Sequence, residues 1–402
     1  MRRIWNRIAG GVLAIILVFS AAGVTAGAQP GEPTLSAEAA VLMDAATGRV
    51  LYDKNANDPR LIASTTKIMT ALVALERADD LDRKVIITKE WASIEGSSMY
   101  LKEGDEVSLR GLLYGLLLNS GNDAATALAC TIAGDEATFV AWMNEYATAF
   151  GMENTHFTNP HGLDSEGHYS TAYDMALLMV KSMENEDFRE ISKTRYVEID
   201  GFELYYHNKL LNKYKYCVSG KTGFTSAAGR TLVTASEKDG RLLVAVTLTA
   251  PDDWNDHIKL YEYGFNNFPL SNLCERGSCV ATVPLADTAH ALPVYCTDTL
   301  TWLVKPGESV QRILYLPDEI TCGVTKGAVV GRIVYRVDGE TAGSTLLIAG
   351  AYADASSGEV SYEWKNEFKN SCLLAGLYPD AQPRGTYRLD GVLSTAFWHS
   401  WE

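Results

Sequence analysis

Ser64 and Lys67 stand three positions apart in the stretch ASTTKIMTAL, at the start of an apolar run with helical character. Residues at i and i+3 of a helix share one face, with β-carbons roughly 5–6 Å apart, so these two side chains can meet. A neutral lysine amine can take the proton of a serine hydroxyl and turn its oxygen into a nucleophile. The alternative is an ordinary helix start, with serine as N-cap and lysine as a solvated charge.

Two further polar patterns occur once each in the chain. Ser120-Gly121-Asn122 marks a break between two helical runs, and Lys221-Thr222-Gly223 begins a change to β-type periodicity. Serine enzymes that react with penicillin-type acyl donors carry S-x-x-K, S-D-N and K-T-G in this order. Here glycine replaces the aspartate of the middle pattern. Three patterns in the expected order and context predict an acyl-transfer site, which no single pattern would.

Longer stretches carry a family resemblance. They are LIASTTKIMTAL, LLLNSGNDAATALA, FTNPHGLD, SGKTGFTSAAGRTLV and APDDWNDHIKLYEYGF. The chain resembles the penicillin-binding D-alanyl-D-alanine carboxypeptidases, the low-molecular-mass serine DD-peptidases of bacterial cell walls. The resemblance is close over residues 35–268, looser over 275–350, and absent from the tail. It implies removal of the terminal D-alanine from peptidoglycan stem peptides, and acylation by β-lactams.

The resemblance also implies a role for each motif residue. Ser64 is expected to form the acyl ester and Lys67 to accept its proton, while Ser120 shuttles a proton and Asn122 orients the substrate. Substrate binding is expected from Lys221, Thr222, Gly223 and Phe224, with Gly223 leaving room for the substrate backbone. The backbone N–H groups of Ser64 and Phe224 would form the oxyanion hole. Phe224 stands where some relatives carry a polar residue.

The fold class that positions these residues is α/β, of the α+β kind. β-type runs lie at both ends of residues 35–268 and helical runs lie between them, which predicts a DD-peptidase/β-lactamase-like domain with an antiparallel sheet flanked by helices. Among the local signals are a hairpin at Ala45–Gly48, a cap at Ser108, a helix end at Gly151 and a turn at Lys238–Gly240.

Residues 275–350 have a different sequence pattern, in which short β-type runs alternate with proline and glycine turns. We expect a small all-β C-terminal domain there. The runs are SCVATVPL, LTWLVK, RILYLP, GRIVYRVDG and STLLIAG. The tail, residues 352–402, has no predicted structure and is a candidate for peripheral membrane association, although it lacks a strongly basic amphipathic helix.

Residues 1–28 read as a signal peptide, with an arginine-rich start, an apolar middle and an A-x-A site; an uncleaved anchor is the alternative. The rest of the chain is then exported and works outside the cytoplasm, in the wall or at the outer face of the cytoplasmic membrane. Cleavage removes Arg2, Arg3 and Arg7 and no acid, so the formal charge of −15 becomes −18. Such a surface argues against nucleic-acid binding.

Histidines and cysteines give little evidence of a metal site. His156, His161 and His168 lie in a Gly/Pro loop with weak metal-type spacing, and the seven cysteines form no metal-type cluster. We read His161 as organising its loop. No metal and no cofactor are predicted. Cys274 and Cys279 are close enough in sequence for a local disulfide, but the odd count prevents full pairing within one chain.

Three other functions are alternatives to the carboxypeptidase prediction. A β-lactamase shares S-x-x-K and K-T-G, but class A enzymes need a glutamate for deacylation, and no E-x-x-L-N stretch lies between Ser120 and Lys221. A DD-endopeptidase acting on peptidoglycan crosslinks would pass through the same acyl-enzyme. A non-catalytic wall-binding protein is disfavoured by the intact motif residues.

Overall fold

The computed structural model describes residues 16–20, 31–286, 289–320, 324–350, 352–353 and 360–361. The chain divides into two compact units, with the boundary between Asn267 and Phe268. The boundary lies next to the end of the predicted 35–268 domain. Strand β1 (Ile16–Ser20), which lies inside the predicted signal peptide, belongs to the second unit and pairs with one of its strands.

The first unit is built on a five-stranded antiparallel sheet. Its strands follow the order β3-β2-β10-β9-β8, so β8 is at one edge. Two small hairpin-like sheets, β4–β5 and β6–β7, accompany it. The strands of this unit are β2 (Ala39–Asp44), β3 (Val50–Lys54), β4 (Lys84–Ile86), β5 (Glu106–Ser108), β6 (Tyr196–Ile199), β7 (Phe202–Tyr205), β8 (Cys217–Thr225), β9 (Gly229–Lys238) and β10 (Arg241–Leu248).

Helices cover both faces of this sheet. The helices are α1 (Lys67–Arg77), α2 (Lys89–Ala92), α3 (Leu109–Leu118), α4 (Asn122–Ala133), α5 (Glu136–Ala149), α6 (Ala172–Ser182), α7 (Glu186–Lys193), α8 (Leu210–Lys213) and α9 (Asp253–Asn267). One apolar core joins Val41 and Val246 of the sheet to the leucine face of α3 and to α1 and α6. On the other face α9 packs so closely that a β-carbon at Gly264 would lie 2.6 Å from Leu42 Cδ2.

The predicted fold class is confirmed. The hairpin at residues 45–48 and the turn at Lys238–Gly240 are both present. Ser108 caps α3, since its Oγ accepts a hydrogen bond from Gly111 N at 2.9 Å. Gly151 follows the end of α5 with a φ of +73°. Alternating polarity and capping residues thus located these elements.

Neither motif serine caps a helix, so the alternative interpretation of Ser64 as an N-cap is wrong. Residues Ala63–Thr66 form a 3-10 turn, and α1 begins only at Lys67, without a side-chain cap. Helix α4 begins at Asn122 after Gly121, also without one, while Ser120 has a φ of +59°. Neither serine hydroxyl therefore makes a capping hydrogen bond.

The described residues of the second unit form β-strands, the kind of structure expected for residues 275–350. A six-stranded sheet has the order β1-β15-β16-β17-β13-β12, and β11 pairs with β14. The remaining strands are β11 (Leu270–Cys274), β12 (Cys279–Pro284), β13 (Ala291–Cys296), β14 (Leu300–Leu303), β15 (Ser309–Tyr315), β16 (Val329–Val337), β17 (Glu340–Ala349), β18 (Tyr352–Ala353) and β19 (Val360–Ser361). The five predicted runs correspond to strands, whereas β11 and β13 were missed. Cys274 and Cys279 are both free thiols.

Most of the tail prediction, like most of residues 1–28, lies outside the described residues; β18 and β19 pair with each other. None of the described helices has the length and apolar character of a membrane span.

Candidate active site

The Ser64 hydroxyl and the Lys67 amine meet, as the spacing allows. Lys67 Nζ lies 3.0 Å from Ser64 Oγ, although the two residues belong to a 3-10 turn and the first position of α1 rather than to one helix. Nζ also lies 2.6 Å from Asn122 Oδ1 and 2.5 Å from the carbonyl oxygen of His161. The side chain of Lys67 is therefore fixed at three points.

The three contacts of Lys67 determine where the N–H groups and the lone pair of its neutral amine would point. An amide oxygen and a backbone carbonyl can only accept hydrogen bonds, so Asn122 and His161 take the two N–H groups of a neutral amine. Its lone pair is then left for the third neighbour, the Ser64 hydroxyl. Lys67 is 0% exposed, and its burial, followed by the charge of Lys221, lowers its pKa well below the ordinary value. The geometry suits proton removal from Ser64.

Asn122 connects Lys67 to a loop of residues 95–101. Its Nδ2 donates to the Glu95 carbonyl at 2.6 Å, and its backbone N–H donates to the Ser97 carbonyl at 2.8 Å. With Oδ1 facing Lys67, one amide N–H remains for a substrate. These two loop carbonyls could not be predicted from the sequence, because any residue type can supply a backbone carbonyl.

Lys221 and Ser120 form a second buried pair. Lys221 Nζ donates to Ser120 Oγ at 3.0 Å and to the Thr222 carbonyl at 2.8 Å. Lys221 is 1% exposed, and burial lowers its pKa to about 7. A cation that is costly to keep desolvated binds an incoming carboxylate favourably, because the pairing offsets the desolvation.

Strand β8 lies against the Ser64 turn at the sheet edge. A β-carbon at Gly223 would be 2.3 Å from Thr231 Oγ1 and 3.0 Å from both Ser64 N and Ile62 O. Glycine is required here by the turn and by β9, independently of any substrate. Phe224, the next residue, is 66% exposed, and Thr222 is partly exposed.

The loop of residues 156–168 also belongs to the site, through contacts that the sequence did not reveal. A β-carbon at Gly162, whose φ is +85°, would lie 2.0 Å from the Ala63 carbonyl oxygen. Thr225 Oγ1 donates to Asp164 Oδ1 at 2.9 Å, which ties the loop to the end of β8. The loop therefore contacts both the Ser64 turn and the strand of the K-T-G motif.

His168 fastens this loop to the turn as a neutral side chain. Its Nδ1 accepts from Thr158 N at 3.1 Å, so its proton is on Nε2, which lies 2.8 Å from Thr66 Oγ1. The Thr66 hydroxyl in turn donates to the Ala63 carbonyl at 2.8 Å. Burial lowers the pKa of His168 to about 4. The same holds for His161, whose Nδ1 accepts from Leu163 N.

In the described part of the chain, no group of three or more His, Cys, Asp or Glu side chains is arranged to hold a metal ion.

Comparison with known proteins gives consistent results. The family model described as D-alanyl-D-alanine carboxypeptidase matches residues 25–252. The D-alanyl-D-alanine carboxypeptidase DacF of Bacillus subtilis is 32% identical over 326 residues, which are 78% of this chain and 84% of that protein. DacD of Escherichia coli is 35% identical over 300 residues, which are 71% and 77% of the two chains.

Solved structures agree with this pattern. Penicillin binding protein 5 from Haemophilus influenzae superimposes with a TM-score of 0.66 at 29% identity, over 82% of this chain and 99% of that one. The carboxypeptidase DacD from Francisella tularensis gives a TM-score of 0.67 at 27% identity, over 83% and 96%.

Proposed function

We propose a reaction from the premise that this chain belongs to the D-alanyl-D-alanine carboxypeptidase family of serine peptidases. It removes the terminal D-alanine from peptidoglycan stem peptides through an acyl-enzyme on Ser64. One observation carries the proposal: a fully buried Lys67 whose amine has two fixed acceptors and faces the Ser64 hydroxyl at 3.0 Å.

Acylation begins with proton transfer from Ser64 to Lys67. As the proton leaves, Ser64 Oγ bonds to the carbonyl carbon of the penultimate D-alanine, and the carbonyl oxygen becomes an oxyanion. We assign its stabilisation to the backbone N–H groups of Ser64 and Phe224; losing one such donor typically costs about 10²–10³ in rate. The C–N bond then breaks, and the Ser120 hydroxyl relays the proton held by Lys67 to the departing amine of the terminal D-alanine, which leaves Lys67 neutral again.

The preference for a chain end follows from Lys221. We assign the free carboxylate of the terminal D-alanine to the Lys221 ammonium and the Thr222 hydroxyl. Ser120 Oγ lies 3.0 Å from Lys221 Nζ. An internal peptide bond has no carboxylate there, so it would leave the buried cation unpaired. Asn122 holds the substrate amide through its remaining N–H.

Hydrolysis of the ester completes the cycle. Water attacks the acyl carbon and its proton goes to Lys67; the bond from the acyl carbon to Ser64 Oγ then breaks, and Lys67 returns this proton to Ser64 Oγ. The two alternative activities differ from a carboxypeptidase either in the rate of this hydrolysis step or in the substrate. A β-lactamase would turn over penicillin rapidly, and an endopeptidase would accept a crosslinked donor.

We also propose that the enzyme works outside the cytoplasm, at the wall or the outer membrane face. The support is the signal-peptide pattern of residues 1–28 and the extracellular position of its substrate polymer. Peripheral attachment through residues 352–402 is a further part of this proposal. A mature protein that fails to float with liposomes would contradict the attachment alone.

The decisive experiment follows one sample of mature protein through two reactions. After brief exposure to benzylpenicillin, intact mass should show one persistent adduct, and peptide mapping should place it on Ser64. The same preparation should release D-alanine from a peptide ending in D-Ala-D-Ala, and lose that activity in proportion to adduct formed. Rapid adduct loss with destroyed penicillin would mean a β-lactamase, and neither adduct nor D-alanine would contradict the proposal.

The pH dependence of kcat/KM for D-alanine release is expected to be bell-shaped. Lys67 is a base only when neutral, so activity falls as pH drops through its lowered pKa. Lys221 binds a carboxylate only when protonated, so activity falls as pH rises through its pKa. We expect this alkaline limb to lie nearer to 7 than to the ordinary 10.5.

The variant Lys221→Arg tests whether deprotonation of Lys221 causes the alkaline limb. Its guanidinium stays protonated throughout, so the alkaline limb should move upward even if overall activity is lower. An alkaline limb that stays in place would show that another group causes it.

A further inference from the structure

Tyr100 has a backbone conformation that tyrosine rarely adopts. Its φ is +67°, in the left-handed region where a β-carbon clashes with the neighbouring carbonyl. Its side chain is 77% exposed, whereas those of Met99 and Leu101 on either side are buried. A bulky residue with positive φ persists only where its surroundings force it, and such residues cluster at ligand-binding sites.

Hydrogen bonds to the buried carboxylate of Asp123 impose this backbone conformation on Tyr100. Met99 N and Leu101 N both donate to it, each at 3.1 Å, and Ser98 Oγ donates at 2.6 Å. Asp123 is fully buried, so these donors are needed to compensate its charge. Bonding the residues before and after Tyr100 to one carboxylate leaves Tyr100 in the turn between them, with its ring in solvent.

Tyr100 belongs to the loop that holds Asn122. The Glu95 and Ser97 carbonyls accept hydrogen bonds from the Asn122 side chain and backbone at 2.6 and 2.8 Å. Asn122 and Asp123 are consecutive, so one helix start fixes both the substrate-orienting amide and the exposed ring. The exposed aromatic side chain thus belongs to the same short loop, residues 95–101, whose carbonyls hold the residue to which we assign the substrate amide.

We propose that Tyr100 determines substrate specificity at this site: its ring packs against the aliphatic side chain of the residue that precedes the D-Ala-D-Ala pair. The inference rests on the proposed function. That side chain is attached next to the amide assigned to Asn122, and stem peptides carry a long aliphatic arm there. An exposed tyrosine offers an apolar face at low entropic cost, and covering it removes apolar surface from water on both partners.

The test compares two substrates that differ only in this arm. They are Nα,Nε-diacetyl-L-lysyl-D-Ala-D-Ala and Nα-acetylglycyl-D-Ala-D-Ala. Tyr100→Gly should lower kcat/KM for the lysyl substrate about tenfold, mainly through KM, the size expected for lost apolar contacts. The glycyl substrate should change by less than about twofold. Tyr100→Phe should behave as wild type with both.

Thermal stability separates this role from a structural one. Glycine adopts positive φ freely, so Tyr100→Gly should raise Tm by about 2–4 °C while lowering activity on the lysyl substrate. Should the glycine variant fail to fold, Tyr100→Asn is used, since asparagine also tolerates this φ. Asp239→Gly, at another positive-φ residue in the β9–β10 turn, is the control and should leave both activities unchanged.

The proposal is overturned if both substrates lose activity equally, or if neither changes. It is also overturned if Tyr100→Phe is as impaired as Tyr100→Gly. Failure of wild type to release D-alanine from either peptide would instead refute the proposed function. The two ideas therefore fail in distinguishable ways.

Discussion

Ser64→Ala is expected to abolish covalent labelling by penicillin and to lower the rate of D-alanine release by at least about 10⁴-fold. The variant removes the only atom that bonds to the acyl group in the proposed reaction. Folding should be unaffected, because Ser64 Oγ makes no capping bond and Lys67 keeps its contacts with Asn122 and His161. Intact mass after penicillin exposure and a D-alanine assay measure the two losses.

The control for this variant is Ser93→Ala, at an exposed serine outside the site. It should label and turn over as wild type does. A full-stoichiometry adduct on Ser64→Ala would show that another side chain is the nucleophile.

Lys67→Met is expected to slow acylation by about 10²–10⁴-fold, the usual contribution of a positioned general base. Methionine fills a similar space but has no amine to accept the Ser64 proton. It also leaves Asn122 Oδ1 and the His161 carbonyl without their donor, which should lower the free energy of unfolding by about 1–3 kcal/mol. The second-order rate constant of penicillin acylation and the Tm report these effects separately.

The variant Lys67→Arg separates the role of Lys67 as a base from its role as a hydrogen-bond donor to Asn122 and His161. Arginine can donate to the same oxygens but does not lose its proton in proteins, so it should acylate slowly as well. Near-normal acylation by this variant would exclude Lys67 as the base.

Sequence reasoning located the motif residues because their chemistry depends on side-chain type. It paired Ser64 with Lys67 by spacing, and the β-type runs at both ends of residues 35–268, with helical runs between them, indicated the fold class before any contact was known. It did not find the acceptors of Lys67 and Asn122, since the carbonyls of His161, Glu95 and Ser97 carry no residue-specific signal. Backbone groups become predictable only when the loops that present them are placed.

Two other misses also have physical causes. Serine before a helical run favours an N-cap, which was the alternative interpretation of Ser64, but Ser64 lies in a 3-10 turn packed against Gly223 of β8. Strand β13 contains a proline, and β11 follows α9 without a marked turn, so neither shows the usual alternation between turn signals.

The edge position of β8 has a consequence for the behaviour of the protein in solution. An unpaired strand edge is a template for association with other chains, and proteins commonly cover or distort such edges. Here the Ser64 turn packs on the face of β8, because a β-carbon added at Gly223 would point out of the sheet and lie 3.0 Å from Ser64 N. Among the described strands, β8 has a neighbour on one side only, so its outer edge is the edge that can pair with another chain. Substitutions in the Ser64 turn should therefore inactivate the enzyme without promoting association through this edge.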